Sequence, residues 1–314
     1  MFRQFFSRET GCLGGRGNDM AAIEDVCDPA FEIIVPAKHT SPFVFNSPHS
    51  GRVYLKLFLA ASRLSLPRLR KSEDSFVEQL FAPAASLGAP LLHAHFPRAY
   101  LDVNREPYEL DPALITGALP RYANTRSARV IGGLGTIARV VAESEEIYRA
   151  PMPLGDAIER INSLYKPYHA ALRSLMDASM RKFSIAVLID CHSMPSTPHC
   201  DSGGERPDFV LGDRFSASCN PNLTQLVAEQ LNAMGYVVAF NKPYAGGFIT
   251  EHYGQPGKHR HALQIEVNRA LYLDEENYRR SANFDRLRRD IGRLVEAMMA
   301  MMPALRDAPR AAAE

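Results

Sequence analysis

Short apolar, β-rich runs alternate with stretches of helical periodicity along most of this chain, and that alternation narrows its architecture more than any other property. The apolar runs, each bounded by turn residues, fall at 31–35, 43–45, 91–96, 100–103, 185–189, 209–211, 236–240 and 262–267. Helical spacing marks 72–87, 156–182, 223–234 and 284–302. Strands alternating with helices predict an α/β domain: a mixed, largely parallel sheet with helices on both faces. No internal repeat interrupts the pattern. At 314 residues the chain can bury a sizeable core, and it reads as a single domain over 29–314. Residues 1–28 are expected to form a disordered extension, with Met20 an alternative start. Their only apolar stretch, Phe5-Phe6, is too short for a signal-peptide core, and Glu9 and Asp19 do not suit a mitochondrial presequence.

Bulk chemistry excludes several classes of partner. Hydrophobic residues make up 46% and charged residues 23%, the balance of a soluble globular protein. A formal net charge of +1 asks for neither nucleic acid nor a membrane surface, and no apolar run is long enough to span a bilayer. Five cysteines, an odd number with no Cys-x-x-Cys, argue against a disulfide framework and fit a reducing cytoplasm.

Two histidines then stand out, because they occupy nearly the same setting far apart in the chain. Each follows a short apolar run and precedes a serine: His49 in Phe43-Val-Phe-Asn-Ser-Pro-His-Ser-Gly51, and His192 in Val187-Leu-Ile-Asp-Cys-His-Ser-Met-Pro195. Between them Lys71-Ser-Glu-Asp74 opens a helical stretch. In open α/β sheets ligands gather outside the carboxyl ends of strands. Neutral imidazole and carboxylate are also the ligand set of hydrolytic zinc, which keeps one position open. Strand alternation puts Asp190 and His192 on one face and turns Cys191 to the other, so Asp190 can orient a ligand while the cysteine packs. Glu73 competes with Asp74 for the carboxylate position. His93 and His95, two apart on one strand face, are a rival pair; His259 and His261 lie beside Lys258 and Arg260, where a cationic neighbourhood disfavours a divalent ion.

Other polar groups supply the rest of a site. In Leu263-Gln-Ile-Glu-Val-Asn-Arg269 the alternation sets Gln264, Glu266 and Asn268 on one face, so Glu266 can take a proton from water in a cleft. Arg98, Asn104 and Arg105 fall together at the end of another run, and arginine grips a carboxylate in fork geometry. Loops rich in Gly and Pro at 107–135, 195–207 and 244–256 each follow an apolar run and are placed to wall one sheet edge. Gly133-Leu-Gly135-Thr-Ile-Ala138 matches a dinucleotide-binding pattern, but no buried strand precedes it, so the nucleotide reading fails.

Taken together, Ser47-Pro-His-Ser-Gly51, Ser72-Glu-Asp74, Phe96-Pro-Arg-Ala-Tyr-Leu-Asp-Val-Asn-Arg105, Asp190-Cys-His-Ser-Met194, Asp208-Phe-Val-Leu-Gly-Asp213, Gly246-Gly-Phe-Ile-Thr-Glu-His-Tyr-Gly254 and Gln264-Ile-Glu-Val-Asn268 resemble the N-formylglutamate amidohydrolases. Those enzymes are relatives of zinc carboxypeptidases and aspartoacylase-type deacylases. The resemblance implies a zinc-carboxypeptidase-like α/β fold, with Zn2+ or another divalent transition metal on His49, Asp74 and His192. Asp74 is preferred over Glu73 because counting back from Leu87-Gly88-Ala89, a segment shared with the family, reaches the family's aspartate there. The same resemblance implies Glu266 as general base and acid, and Asn104 and Arg105 as the holders of a substrate carboxylate, with Arg98 and His252 in further substrate-binding segments. The implied reaction hydrolyses N-formyl-L-glutamate to formate and L-glutamate, in histidine degradation. The alternatives are a deacylase for another N-acyl amino acid and a non-catalytic binder of a small acidic ligand.

Overall fold

The computed structural model describes residues 21–141, 145–196 and 206–301. Its main sheet has seven strands: β1 (Phe31–Ile34), β2 (Phe43–Ser47), β3 (Leu91–Ala94), β4 (Ala186–Met194), β5 (Phe209–Gly212), β6 (Val238–Phe240) and β7 (Arg260–Asn268). Their spatial order is β6-β5-β7-β4-β2-β3-β1. The four central strands β7, β4, β2 and β3 run parallel, while β5 and β1 pair antiparallel to their inner neighbours. Four carboxyl ends therefore open on one edge of the sheet.

Alternation along the strands divides the core in two. Phe43, Phe45, Val187, Ile189, Cys191, Leu263, Ile265 and Val267 face one side. There they pack under α1 (Val77–Phe81), α3 (Pro221–Ala233) and α5 (Phe284–Ala300). Val44, Leu92, Ala94, Ala186, Leu188 and Ala262 face the other side, under α2 (Lys166–Phe183) and the long excursion that follows β3. On this second face the same strands change chemistry toward their ends: Asn46, Asp190, His192, Gln264 and Glu266 continue the parity of the apolar residues and are buried. A buried polar patch must satisfy its own hydrogen bonds, so such a change of chemistry marks a built site.

Several expected elements differ in detail. The run at 100–103 is not a strand. Pro97 starts a turn in which its carbonyl accepts from Tyr100 and Leu101, and Asp102 N–H bonds Thr136 instead of a sheet neighbour. The helix expected from residue 72 begins only at Val77, because Asp74 N–H is bonded to the His49 carbonyl and Phe76 adopts a left-handed φ of 65°. The expected helix at 156–182 is a composite, Leu154–Arg160, a π turn at Ile161–Tyr165, then α2. Pro167, which lacks an N–H and crowds the carbonyl four residues back, sits just past that π turn. Of the extension expected over 1–28, residues 1–20 lie outside the described residues. The remainder includes a strand, Ala22–Glu24, in parallel register with Val53–Leu55. The last position of the helix expected over 284–302 and most of the loop expected over 195–207 also lie outside.

Candidate metal centre and active-site cavity

Each candidate ligand is delivered by the end of an element. β2 stops at Ser47, and the turn to Gly51 carries His49 beyond the carboxyl edge. Only glycine fits at residue 51: a Cβ there would stand 2.1 Å from the Phe96 carbonyl oxygen. The 3.0 Å bond from Asp74 N–H to the His49 carbonyl fixes the second candidate to the first through backbone. His192 projects from the last residues of β4.

The three side chains converge. Asp74 Oδ2 lies 2.9 Å from His192 Nδ1 and 3.5 Å from His49 Nδ1. One donor atom from each residue falls within 4.8 Å of the others, and all three side chains are buried. The far nitrogen of each imidazole is held by a carboxylate of its own: His49 Nε2 is 2.8 Å from Asp102 Oδ1, and His192 Nε2 is 3.0 Å from Asp190 Oδ2. An imidazole that donates Nε2–H to a carboxylate presents Nδ1 as a lone pair. Both lone pairs aim at one oxygen of Asp74, an arrangement that is repulsive until a cation or a proton lies among them. His49 Nδ1 is buried with no hydrogen-bond partner among the described residues. Two imidazoles and a carboxylate, with the imidazoles oriented by outer carboxylates, suit a divalent transition metal.

The surroundings hold Asp74 in its role. Its other oxygen, Oδ1, accepts from Ser193 Oγ at 3.0 Å and from Arg269 Nη2 at 3.3 Å. Burial alone would raise its pKa, but the two imidazoles that face it, His192 first and then His49, hold it well below the usual carboxylate range. Glu73, the competing carboxylate, turns away: it accepts from Arg70 Nε at 3.0 and 3.1 Å, from Tyr54 OH at 2.8 Å and from Ser75 Oγ at 2.7 Å. Its oxygens are spent.

A cavity of about 380 Å³ opens over the cluster, lined by Asp74 and His192 together with Arg98, Tyr244, Glu266 and Arg269. Glu266 stands directly across from His192 in the parallel register of β7 and β4. Its Oε1 accepts from Gln264 Nε2 at 2.8 Å. Burial, aided by the negative charge of Asp74 and opposed by His192, Arg98 and Arg269, raises its pKa to about 7. A carboxyl so poised can take up and release a proton near neutrality.

The structure brings some of the expected substrate groups to this cavity and not others. Arg98 lines it, with Nη2 2.7 Å from Asp102 Oδ2. Asn104 and Arg105 lie behind the wall. Asn104 Oδ1 accepts from Ile249 N–H at 2.8 Å and its amide nitrogen lies 3.4 Å from Asp190 Oδ2. Arg105 donates to the carbonyls of Leu134 and Asn104. Gly247 packs so closely on Asn104 that a Cβ there would meet its amide at 2.4 Å. His252 is also away from the cavity, stacked at 5.1 Å on Phe248 within α4 (Phe248–Tyr253). Sequence reasoning missed Asp102 as the partner of His49, and Arg269 as the clamp on Asp74. Arg269 follows β7 directly, and that placement at the end of the Glu266 strand was the available signal. Part of the would-be dinucleotide motif turns out to be cavity wall, through Leu134 and Ala138.

Fold and site together define a class: a covered, largely parallel α/β sheet with a His–Asp–His cluster and a buried glutamate at its carboxyl edge. The N-formylglutamate amidohydrolase family model matches residues 41–273, and the chain belongs to that family. It is 32% identical over 240 residues to an N-formylglutamate deformylase of Pseudomonas putida, covering 74% of this chain and 82% of that protein. The crystal structure of N-formylglutamate amidohydrolase from Ralstonia eutropha JMP134 superposes with a TM-score of 0.82 at 34% identity, over 88% of this chain and 98% of that one. A gene product of Agrobacterium tumefaciens, at 15% identity and a TM-score of 0.61 over 88% of this chain and 96% of its own, shares the fold.

Proposed function

We propose that this chain is a metal-dependent amidohydrolase that converts N-formyl-L-glutamate to formate and L-glutamate, serving histidine degradation in a reducing cytoplasm. The observation that carries the reading is Glu266, buried opposite His192 and lining the same cavity as the cluster's Asp74 and His192. The names of the P. putida and R. eutropha relatives support the substrate. The three described cysteines, Cys27, Cys191 and Cys219, are free thiols, which agrees with a reducing compartment. No helix among the described residues is long and apolar enough to cross a membrane.

His49 and His192 through Nδ1, and Asp74 through Oδ2, would hold the metal, with zinc the first choice and Mn, Fe or Co compatible with the same donors. Bound there, it would supply Lewis acidity toward the formyl carbonyl and lower the pKa of water to about 7. Glu266 would take the proton from the attacking water and deliver it to the amine nitrogen as the C–N bond breaks. Its pKa is about 7 in the metal-free site, and the positive charge of a bound ion would lower it, so that it stands ionised as a base at neutral pH. Arg98 and Arg269 are the cavity's arginines, so carboxylate anchoring passes to them, while Asn104 and Arg105 position the wall. In the lining, Lys71, Arg98 and Arg269 balance Asp74, Asp102 and Glu266 in charge. A divalent ion would then leave a surplus of two positive charges, which matches the two carboxylates of N-formylglutamate.

Formate release by Glu266→Gln tests the reading. The variant should bind metal as the parent does and lose about 10²–10⁴ in kcat; full turnover would remove Glu266 from the chemistry. The apolar wall formed by Leu134, Ala138, Val140 and Val141 favours one second reading, a larger acyl group than formyl. Comparing N-formyl, N-acetyl and N-formimino glutamate separates the two, since a preference for the acetyl compound would replace the deformylase assignment.

A further inference from the structure

Among the described residues a second group of histidine and carboxylate donors lies at the β3–β1 edge of the sheet, outside the residues that line the cavity. It consists of Glu32 on the edge strand β1, His93 on β3, and His95 just past the end of β3. Glu32 and His93 are direct register partners in the antiparallel pair. His93 Nε2 lies 3.5 Å and His95 Nε2 3.7 Å from the same oxygen, Glu32 Oε2. The two imidazole centroids are 5.1 Å apart. All three donors fall within 4.8 Å of one another.

Those spacings are longer than a good hydrogen bond and close to another standard length. Ligands about 2.0–2.1 Å from a tetrahedral zinc ion stand roughly 3.4 Å from each other. The orientation of His95 is also fixed from outside: its Nδ1 lies 2.8 Å from the Pro29 carbonyl oxygen. A carbonyl can only accept, so Nδ1 carries the hydrogen and Nε2 presents its lone pair toward Glu32. A ring nitrogen bonded to backbone while its twin faces a carboxylate is how ligating histidines are held. The two histidine side chains are 12% and 23% exposed and Glu32 58%, so an ion there would keep solvent access and a free coordination position.

We propose that Glu32, His93 and His95 form a second, exchangeable site for a divalent transition metal of zinc's class, separate from the catalytic cluster. By joining β1 to β3 it would clip the edge strand of the sheet, and binding to the folded state alone would raise stability.

Metal-free full-length protein titrated with Zn2+ against a chromophoric chelator tests this. The parent should take up two ions, the His93→Ala/His95→Ala variant one, and the His49→Ala/His192→Ala variant one. Zinc in excess should raise the Tm of the last variant, and Glu32→Gln introduced into it should weaken its remaining site by at least about tenfold. Turnover of His93→Ala/His95→Ala should equal that of the parent, which also shows that it is folded. The proposal is overturned if the parent and His93→Ala/His95→Ala bind the same number of ions. It also fails if the His49→Ala/His192→Ala protein binds zinc no more tightly than its Glu32→Gln derivative does.

Discussion

Asp102 does more for the site than its place in the chain suggests. One oxygen receives His49 Nε2 at 2.8 Å and the N–H of Asn104 at 2.8 Å, and the other receives Arg98 at 2.7 Å. Burial pushes its pKa up, yet Arg105, Arg98 and His49 together hold it well below the usual carboxylate range. It is thus an anion that fixes the tautomer of an imidazole in the candidate metal cluster and the position of a cavity arginine at once. Asp102→Asn should weaken metal binding by about 10–100-fold, measured by chelator competition, because the outer partner of His49 would no longer be charged. His49, His192 and Glu266 could be picked from the sequence as candidates because each falls at or just past the end of an apolar run with suitable chemistry, whereas the choice of Asp74 over Glu73 rests on the family resemblance. Asp102 could not be picked, since its role arises from contacts with residues distant in the chain, and Arg269 offered only its place at the end of the Glu266 strand.

At the scale of elements, periodicity located the sheet well because the central strands bury both faces and their apolar parity is plain. It misread two segments that serve the site. Residues 100–103 look like a strand by composition, but Pro97 and the Thr136 carbonyl commit their backbone to a turn. The stretch from Ser72 has helical spacing, yet its first residues are bonded to the His49 turn and lead through a left-handed Phe76. Both departures spend local preference on placing Asp102 and Asp74, as functional segments often do. The close approach of the His49 turn to the segment after β3 gives a test at this scale. Gly51→Ala would drive a methyl group into the backbone of His95 and Phe96. Displacing that backbone should cost at least about 1–3 kcal/mol. The expected readouts are a lower Tm and weaker metal binding, since His49 rides on the same turn.

For the whole molecule, α2 is tied to the cavity wall through a buried histidine, and this sets a response to acid. His169 bonds the Val103 carbonyl at 2.8 Å and the Tyr253 hydroxyl at 2.9 Å, and stacks on Tyr165 at 4.3 Å. Burial lowers its pKa to about 4, and burial likewise lowers that of His261 to about 4. A histidine whose folded pKa lies below its unfolded value of about 6.5 contributes stability above pH 6.5. That contribution fades as pH falls from about 6.5 to about 4, because the unfolded chain takes up the proton first. His169 alone accounts for about 3 kcal/mol over this window. Urea midpoints at pH 7 and pH 4.5 should differ accordingly, and His169→Gln should flatten the difference.

The order of the strands in the sheet has a consequence for how the protein comes into being. β7 is the last of the seven to be synthesised, yet it lies between β4 and β5. Until it arrives, β5 and β6 have no edge to join, and the sheet exists as two unconnected fragments. The strand that closes this gap is also the one that carries Glu266, with Arg269 just beyond it. A ribosome-bound chain therefore cannot hold the proposed catalytic centre while its architecture is still incomplete: the keystone and the proposed proton carrier are the same piece.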